Sequence, residues 1–281
     1  MANAGQTGAG SERTLLFIPM YNCAPQIPRV IAQLTPEVRD LFDEVIIVNN
    51  RSTDDGQAAA IAALRNVGGL KAKVLLNDQN YGLGGSQKVA LNYALDHGFS
   101  HCIVLHGDDQ GSITDIAPHL RAGKHKNLDC LLGARFMPGS RLSGYSMLRT
   151  VGNHVFNALY SLVSGKLIYD LGSGLNMYRM SAFKERDYLK CADDLTFNYH
   201  MILRSIAARQ AIQFFPLEWR EDDQASNVKL VRQALRVAGV ALSYLVERKA
   251  YLARSYTQRA PGGYTYQIAY SSADAPSEAP A

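Results

Sequence analysis

Short apolar runs alternate with longer mixed segments through the first half of the chain, and the runs are rich in β-branched residues. Runs of this kind predict strands, and the mixed segments between them predict helices. The predicted strands are Leu15–Pro19, Val45–Asn49, Ala72–Leu76, Cys102–Leu105 and Cys130–Gly133. The predicted helices are Ile27–Leu34, Gly56–Val67, Gly85–His97 and Ile113–Ala122. This order indicates an α/β fold in which parallel strands lie between crossover helices.

The second half of the chain has a different pattern of apolar segments and glycines. After about residue 134, glycines separate helical stretches near residues 150–163 and 195–209 from a further strand at Ile212–Leu217. A long helical pattern then runs from Val228 to about Arg254, with apolar residues at 231, 235, 238, 242, 245 and 246. We therefore expect a Rossmann-like nucleotide-binding half at 14–134, a second-substrate half at 135–227 and a basic amphipathic helix at 228–260. Residues 1–13 and 261–281 are expected to be disordered.

The composition is that of an ordinary globular protein. Of the 281 residues, 47% are hydrophobic, which excludes collagen-like and wholly disordered chains. The formal net charge of +4 is too small to indicate nucleic-acid binding. Segment 228–260 alone holds seven basic residues and one acid, so the rest of the chain is slightly acidic. A basic amphipathic helix suits an anionic membrane surface, and it equally suits packing on the domain or on a second copy of the chain.

The four cysteines are scattered, with no C-x-x-C pair. Cys102 and Cys130 lie in predicted strands, so we expect reduced core thiols and a reducing compartment rather than a disulfide frame or a zinc site. Residues 1–12 fit neither a secretory signal nor a transit peptide. Because no run of about 18 apolar residues occurs, the expectation is a cytoplasmic protein that does not cross a membrane.

Polar loops follow the first four predicted strands, at residues 19–22, 49–54, 77–85 and 106–110. The carboxyl ends of parallel strands share one edge of the sheet, so these loops are expected to form one site. The loop at 77–85 is glycine-rich and precedes a helix, which would let its backbone N–H groups approach a ligand. Its spacing matches neither a phosphate-binding P-loop nor a clean dinucleotide motif.

The loop at 106–110 places an imidazole and two adjacent carboxylates directly after an apolar strand. Oxygen-rich clusters of this type hold Mg²⁺ or Mn²⁺, which neutralises a diphosphate leaving group. The alternative is a solvated acidic turn that caps the next helix. Neighbours on an extended segment point to opposite sides, so Asp108 and Asp109 are expected to have different roles.

Five segments resemble, in order and spacing, the motifs of family 2 glycosyltransferases with the GT-A fold. They are I-P-M-Y-N (18–22), V-N-N-R-S-T-D-D (48–55), N-Y-G-L-G-G (80–85), L-H-G-D-D-Q (105–110) and G-A-R-F (133–136). Residues 169–179 and 219–229 look like the branch that contains dolichyl- and polyprenyl-phosphate sugar transferases. The resemblance covers roughly residues 14–230. It implies inverting transfer of a sugar from a nucleoside diphosphate, with a divalent metal bridging the diphosphate.

The resemblance also assigns roles to residues. Asp108 matches the last acid of the family's D-x-D motif and is the implied metal ligand, with His106 as a second ligand or a ribose partner. Because its side chain is expected to point the other way, Asp109 is predicted to contact the sugar hydroxyls or the surroundings of the metal. The implied nucleotide-binding residues are Pro19, Tyr21, Asn22, Asn49, Asn50, Ser52, Asn80, Gly82, His106 and Gly107.

Three departures from the family pattern remove negative charge near the nucleotide. His106 replaces the first acid of D-x-D, and Cys23 replaces a glutamate. Asn49 and Asn50 replace acids that grip the base and the ribose. Neutral amides still pair with a base edge or a ribose hydroxyl, so nucleotide binding is expected to be retained. These residues do not determine which base is bound.

The acceptor decides whether a general base is needed, because a phosphate is already an anionic nucleophile and a sugar hydroxyl is not. The candidate bases are Asp170 and Asp194, and a helix cap is the competing interpretation of Asp194. Phosphate groups require cations instead. The candidates for the acceptor or diphosphate are Arg135, Arg141, Arg149, Arg220, Ser226 and Lys229, the last three from a loop that closes over the diphosphate in the resembling branch.

These observations predict a metal-dependent glycosyltransferase that moves a hexose-type sugar to a polyprenyl-phosphate-type lipid at the cytoplasmic face of a membrane. Transfer to a sugar hydroxyl of a lipid-linked or surface glycan is the first alternative. A non-catalytic subunit that binds nucleotide sugars is the second. The basic helix at 228–260 is expected to contact either the membrane or a second copy of the chain.

Overall fold

The computed structural model of the protein describes residues 12–223 and 230–273. Its strands are β1 (Thr14–Met20), β2 (Glu44–Asn49), β3 (Ala72–Asn77), β4 (His101–Leu105), β5 (Cys130–Ala134), β6 (Arg141–Ser143), β7 (Leu175–Arg179), β8 (Ile212–Pro216), β9 (Glu218–Arg220) and β10 (Tyr266–Ser271). Its helices are α1 (Ile27–Ala32), α2 (Pro36–Arg39), α3 (Gly56–Arg65), α4 (Gly82–Asp96), α5 (Ala117–Arg121), α6 (Met147–Ser164), α7 (Phe197–Ala207), α8 (Leu230–Val246) and α9 (Arg248–Ala253).

An eight-stranded mixed sheet forms the centre of the molecule, in the order β10-β3-β2-β1-β4-β7-β5-β8. Strands β3, β2, β1 and β4 are parallel, whereas β7 runs antiparallel between β4 and β5. The carboxyl ends of β1 to β4 therefore lie at the same edge as the amino end of β7. The predicted α/β class, with parallel strands β1 to β4, is confirmed. Strand β7 has no counterpart among the predicted strands.

Two hydrophobic cores lie on opposite faces of the sheet, because side chains alternate along each strand. Along β1, Leu15 and Phe17 enter the core formed with α4, α6, α7 and α8. Leu16 and Ile18 enter the core formed with α1, α3 and α5. All four side chains are fully buried, and burying each contributes about 2 kcal/mol. The two helical layers thus fix the strand ends that carry the polar loops.

Helix α8 is part of the domain. Its side chains Val237, Ala241 and Tyr244 are buried in the core shared with α6 and α7, and the Tyr160 hydroxyl donates to the Val237 carbonyl at 2.8 Å. The helical pattern that predicts one helix to Arg254 is interrupted at residue 247, after which α9 begins. Packing on the domain is therefore confirmed for this face of the helix. The predicted start at residue 228 lies outside the described residues.

The opposite sides of α6 and α8 carry large apolar side chains that are exposed. These residues, called here the outer apolar face, are Met147, Leu148, Val151, Val155 and Leu162 on α6, and Val231, Leu235, Leu242, Leu245 and Val246 on α8. Their helical spacing places them on one side of each helix, away from the buried side chains. Because α6 and α8 pack together, the two apolar sides belong to neighbouring helices. Within the described ranges, no helix has the length and apolarity needed to span a bilayer.

The prediction of disorder over residues 261–281 is wrong for Tyr266–Ser271. These residues form β10, which pairs antiparallel with β3 at the edge of the sheet. The same prediction for residues 1–13 is wrong at Arg13, whose carbonyl accepts the backbone N–H of Ser100 at 2.8 Å. Arg13 is held beside the central strands β1 and β4, and β10 is held by the strand β3. The outermost residues of both segments lie outside the described part of the chain.

The four cysteines are free and buried, as predicted for reduced core thiols. Burial raises the pKa of Cys23, Cys102, Cys130 and Cys191 to about 12 in each case. A thiol with so high a pKa holds its proton at neutral pH and is a poor nucleophile. The cysteines therefore serve packing.

Candidate active site

The ends of β1, β2 and β4 are tied together at the edge of the sheet. The backbone N–H of Asn50 donates to the Met20 carbonyl at 2.9 Å, and that of Gly107 donates to the Pro19 carbonyl at 3.1 Å. The N–H of His106 donates to the Gly174 carbonyl at 2.9 Å, which adds the loop before β7 to the same edge. The structure thus brings together the predicted loops after β1, β2 and β4. The loop before β7 joins them because β7 runs antiparallel to β4.

The loops after β1 and β2 are joined through side chains. The N–H of Asn22 donates to the Ser52 hydroxyl at 3.1 Å, and the N–H of Thr53 donates to the Asn22 side chain at 2.7 Å. Asn22 and Arg51 have positive φ angles of 49° and 63°, a costly conformation that is often found at functional sites. Tyr21 is 50% exposed beside these loops, so its ring is accessible to the base of a nucleotide.

Asn49 and Asn50 are buried and hold the loops from within. The Asn50 side chain donates to Asn80 at 2.8 Å and accepts the N–H of Tyr81 at 2.7 Å. The Asn49 side chain accepts the N–H of Ser52 at 2.8 Å. A carboxylate at position 50 could accept but not donate, so the amide suits this position. In the structure, Asn49 and Asn50 therefore position the loops. This role differs from the predicted contact with nucleotide.

The glycine-rich segment after β3 approaches the protein's own backbone. The N–H groups of Tyr81 and Gly82 donate to side chains, and the N–H of Gly85 donates to the Asp193 carbonyl at 3.2 Å. Gly82 has φ +72°, and a Cβ there would lie 2.4 Å from the same carbonyl oxygen. The prediction that these N–H groups face a ligand is wrong for these three residues, because the side chains of Asn50 and Asn80 and the Asp193 carbonyl accept their hydrogen bonds.

His106 and Asp108 form the part of the site that fits a divalent cation. Burial lowers the pKa of His106, so the imidazole is neutral, and its Nε2 is buried without a hydrogen-bond partner in the described structure. Burial raises the pKa of Asp108, and the neighbouring His106 opposes that change. The imidazole is seated against Gly174, where a Cβ would lie 2.7 Å from the His106 Cγ.

A site with few protein ligands is expected for a cation that binds substrate phosphates. No group of three or more His, Cys, Asp or Glu side chains arranged for a metal occurs in residues 12–223 and 230–273. Mg²⁺ bound with nucleotides commonly uses one or two carboxylates and takes its other ligands from phosphate and water. The pair His106 and Asp108 fits that kind of site.

Asp109 faces α1 while Asp108 lies beside His106. Asp109 has φ +57°, and its carboxylate accepts Arg29 Nε at 2.7 Å and Gln33 Nε2 at 3.1 Å. Arg220 Nη2 lies 3.7 Å from the same carboxylate. Together they line a cleft of about 480 Å³, whose other lining residues are Ser112, Asp222 and Asp223. Arg29 and Gln33 are not among the predicted site residues, although α1 directly follows the first polar loop.

The two predicted bases have hydrogen-bond partners that occupy their carboxylates. Asp170 is buried and accepts Arg135 Nε at 2.7 Å, Arg135 Nη2 at 2.9 Å and the N–H of Gly172 at 3.0 Å. Asp194 accepts the N–H of Thr196 at 2.8 Å and Arg236 Nη1 at 2.8 Å. Asp194 therefore holds the turn before α7 but does not cap the helix, whose N-cap residue is Thr196, and Asp170 fixes Arg135.

The predicted cations divide between structural pairs and the cleft. Arg135 is bound to Asp170 as described, while Arg141 pairs with Glu218 at 3.0 Å and Arg149 with Glu221 at 2.5 Å. Arg220 is the member of the set that lines the cleft beside Asp109. The predicted residues Ser226 and Lys229 lie outside the described part of the chain.

Comparisons with known proteins agree with these features. A family profile described as glycosyl transferase family 2 matches residues 16–187. The polyprenol monophosphomannose synthase of Mycolicibacterium smegmatis is 23% identical over 180 residues, 63% of this chain and 65% of the relative. The dodecaprenyl-phosphate galacturonate synthase of Rhizobium johnstonii is 28% identical over 177 residues, 60% of this chain and 48% of the relative. The chain thus spans just under two thirds of the first relative and about half of the second.

Solved structures share the fold. Glucosyl-3-phosphoglycerate synthase from Mycobacterium tuberculosis in complex with UDP has a TM-score of 0.60 and 17% identity, covering 84% of this chain and 80% of that chain. The same enzyme with Mn²⁺, UDP and glucosyl-3-phosphoglycerate has a TM-score of 0.63 and 15% identity, covering 92% and 87%. The predicted GT-A fold is thereby confirmed.

Proposed function

The chain belongs to glycosyl transferase family 2, and from that premise we propose that it transfers a sugar from a nucleoside diphosphate to the phosphate of a polyprenyl-type lipid. Two relatives are named as synthases of a polyprenol monophosphomannose and of a dodecaprenyl-phosphate galacturonate. Both candidate bases, Asp170 and Asp194, form ion pairs. This observation supports the choice of a phosphate acceptor.

A hydroxyl acceptor needs a base that removes its proton, whereas a phosphate acceptor does not. The Asp170 carboxylate accepts hydrogen bonds at both oxygens, and so does that of Asp194. In the proposed reaction, a phosphate oxygen of the lipid forms a bond to the anomeric carbon of the sugar. The bond from that carbon to the donor diphosphate breaks, and the nucleoside diphosphate leaves with the electron pair.

On the donor side, Tyr21, His106 and Asp108 are the residues proposed to receive the nucleotide and its cation. The exposed ring of Tyr21 would stack on the base, as aromatic rings commonly do. His106 and Asp108 would hold Mg²⁺ or Mn²⁺, which supplies positive charge to the departing diphosphate when bound. Arg29 and Arg220 in the cleft beside Asp109 would attract the phosphate groups.

The outer apolar face is proposed to rest on the membrane that carries the lipid acceptor. Many large apolar side chains exposed on two neighbouring helices mark an interaction site in a folded protein. Basic side chains lie along α8 and at the start of α9, with Arg232, Arg248 and Lys249 exposed to solvent, and such charge favours an anionic lipid surface. The buried free thiols suit the reducing side of that membrane, so the cytoplasmic face is the proposed place of reaction.

The proposal is tested with the purified full-length chain, a panel of UDP-, GDP- and CDP-sugars, Mn²⁺ or Mg²⁺, and vesicles that contain a polyprenyl phosphate. Mass spectrometry of the lipid fraction is expected to show the lipid phosphate plus one sugar residue with one of the donors. Nucleotide binding without turnover for any donor would contradict the proposal and favour a non-catalytic binding subunit. Product found only on added glycan hydroxyls would favour the alternative acceptor.

A further inference from the structure

The segment Thr257–Ser271 approaches the loop after β3 from the other end of the chain. We propose that this segment completes the donor site, and that Arg259 and Thr265 position the loop at residues 77–82 for nucleotide binding. The proposal rests on the proposed function, because it concerns the same nucleotide. The family profile ends at residue 187, so these residues lie beyond the part of the chain that it matches.

The first group of contacts joins β10 and the residue before it to the residue after β3. The Thr265 hydroxyl donates to Asp78 Oδ2 at 2.6 Å, and Gln267 Nε2 donates to Asp78 Oδ1 at 3.3 Å. The N–H of Asp78 donates to the Thr265 carbonyl at 3.1 Å. Both the side chain and the backbone of Asp78 are thus held by the C-terminal segment.

The second group surrounds Tyr81. Its hydroxyl donates to the Thr265 carbonyl at 3.0 Å and accepts the N–H of Thr265 at 3.1 Å. The Arg259 guanidinium lies 4.4 Å from the centre of the Tyr81 ring, and Arg259 Nη1 donates to Gln79 Oε1 at 3.3 Å. Arg259 therefore covers one part of the loop while Thr265 fixes the end of the Tyr81 side chain.

The third group anchors the segment to the protein interior. Lys88 on α4 is fully buried and donates to Asp193 at 2.7 Å and to the Tyr264 hydroxyl at 2.9 Å. The Thr257 hydroxyl donates to the other oxygen of Asp193 at 2.5 Å. Burial opposes ionisation of Asp193, but the hydrogen bonds from Lys88, Thr257 and Tyr264 outweigh it and lower the pKa of this carboxyl. A buried charged network of this kind fixes the segment in one position.

The loop at residues 77–82 is in turn hydrogen-bonded to the loop after β2, which contains predicted nucleotide-binding residues. Asn50 accepts the N–H of Tyr81 and donates to Asn80, and Arg51 Nη2 donates to the Asp78 carbonyl at 2.8 Å. A displacement of Tyr81 or Asp78 therefore displaces the loop after β2 as well. Because Asn80 and Ser52 are implied nucleotide contacts, the C-terminal segment acts on the donor site through them.

The test compares Arg259→Ala, Thr265→Val and the conservative Arg259→Lys with a matched control, Arg254→Ala. Arg254 is an exposed arginine shortly before the segment, and its side chain pairs with Glu247 at 3.8 Å. Calorimetric titration with UDP, GDP and CDP in the presence of Mn²⁺ gives the dissociation constant of each variant for the nucleotide that the wild type binds. We expect Arg259→Ala and Thr265→Val each to raise it about fivefold, and Arg259→Lys to restore most of the affinity. The control is expected to bind as the wild type does.

Hydrogen exchange of the unliganded protein provides a second readout. The amides of residues 78–82 are expected to exchange faster in Arg259→Ala and Thr265→Val than in the control, because their loop is less firmly held. Equal dissociation constants and equal exchange in the variants and the control would overturn the proposal. A wild-type protein that binds none of the three nucleotides would refute the proposed function, and the exchange rates would then still decide whether the segment holds the loop.

Discussion

Arg135 and Asp170 form a buried ion pair with two parallel hydrogen bonds, from Nε to Oδ2 at 2.7 Å and from Nη2 to Oδ1 at 2.9 Å. Arg135 follows β5 and Asp170 precedes β7, so the pair lies at the edge of the sheet that carries the candidate site. The guanidinium also lies 5.0 Å from the ring centre of Trp219. A carboxylate held this way serves to fix its neighbours, and this is the physical ground for proposing an acceptor that needs no base.

The Asp170→Asn variant tests that assignment. Removing one charge from a buried pair leaves the other uncompensated, so we expect the free energy of unfolding to fall by about 3 kcal/mol. Urea denaturation measures that change. The turnover of the folded enzyme is expected to fall less than about tenfold, whereas loss of a general base costs at least about a hundredfold. A hundredfold lower turnover with unchanged stability would show that Asp170 is the base after all.

The Asp108→Asn variant tests the cation site. The substitution removes a charged ligand while keeping the size of the side chain, so metal-dependent turnover is expected to fall by about a hundredfold or more. The control is Asp187→Asn, at an exposed acid that pairs with Lys190 on the surface. Donor turnover is measured over a range of Mn²⁺ concentrations, and circular dichroism checks the fold. Wild-type activity and wild-type Mn²⁺ dependence in Asp108→Asn would remove this residue from the site.

The outer apolar face is tested with Val155→Glu and Leu235→Glu. Both side chains are exposed, so the substitutions are expected to leave the stability nearly unchanged. They place a charge against the lipid, and cosedimentation with anionic vesicles is expected to fall about fivefold or more. Ile268→Glu, at an exposed apolar residue on β10, is the control. Equal cosedimentation would contradict membrane contact, and a changed sedimentation coefficient without lipid would assign the face to a second copy of the chain.

His200 gives the protein a specific acid sensitivity. Burial lowers the pKa of His200 to about 3, below the value of about 6.5 in the unfolded chain. The folded state thus binds fewer protons at His200 than the unfolded chain does. The contribution of neutral His200 to the free energy of unfolding is therefore complete above about pH 6.5 and decreases as the pH falls from there toward 3. We expect His200→Gln to reduce the loss between pH 7 and pH 4.5 by about 2 kcal/mol. Urea denaturation at both pH values, with His154→Gln as the exposed control, measures it, and an identical loss in the variant and the wild type would contradict this account.

The strands that lie at the centre of the sheet could be predicted because they are buried on both faces. Leu15, Leu16, Phe17 and Ile18 are all fully buried, and such a strand appears in the sequence as one continuous apolar run. The edge strand β10 lacks this signal because Ile268 is exposed. Its six residues, Tyr266–Ser271, form a strand through their pairing with β3, which is a tertiary effect.

The loops of the site could be predicted from their place after the strands, whereas the partners of each side chain could not. Arg29 binds Asp109 from 80 residues away, and Asp170 binds Arg135 across 35 residues. Whether an acid acts as a base, a ligand or a structural partner depends on these contacts, which composition and spacing do not contain. Asn50 illustrates the same limit, since its hydrogen bonds to Asn80 and Tyr81 follow from the fold.

Whether the acceptor is a lipid phosphate is tested by comparing two lipids that differ only in the phosphate group. Vesicles with a polyprenyl phosphate and vesicles with the corresponding polyprenol are offered the same radiolabelled nucleotide sugar, Mn²⁺ and wild-type protein. We expect label in the lipid fraction of the phosphate vesicles, at a rate at least about a hundredfold above that with the alcohol. Equal or faster transfer to the alcohol would contradict a phosphate acceptor.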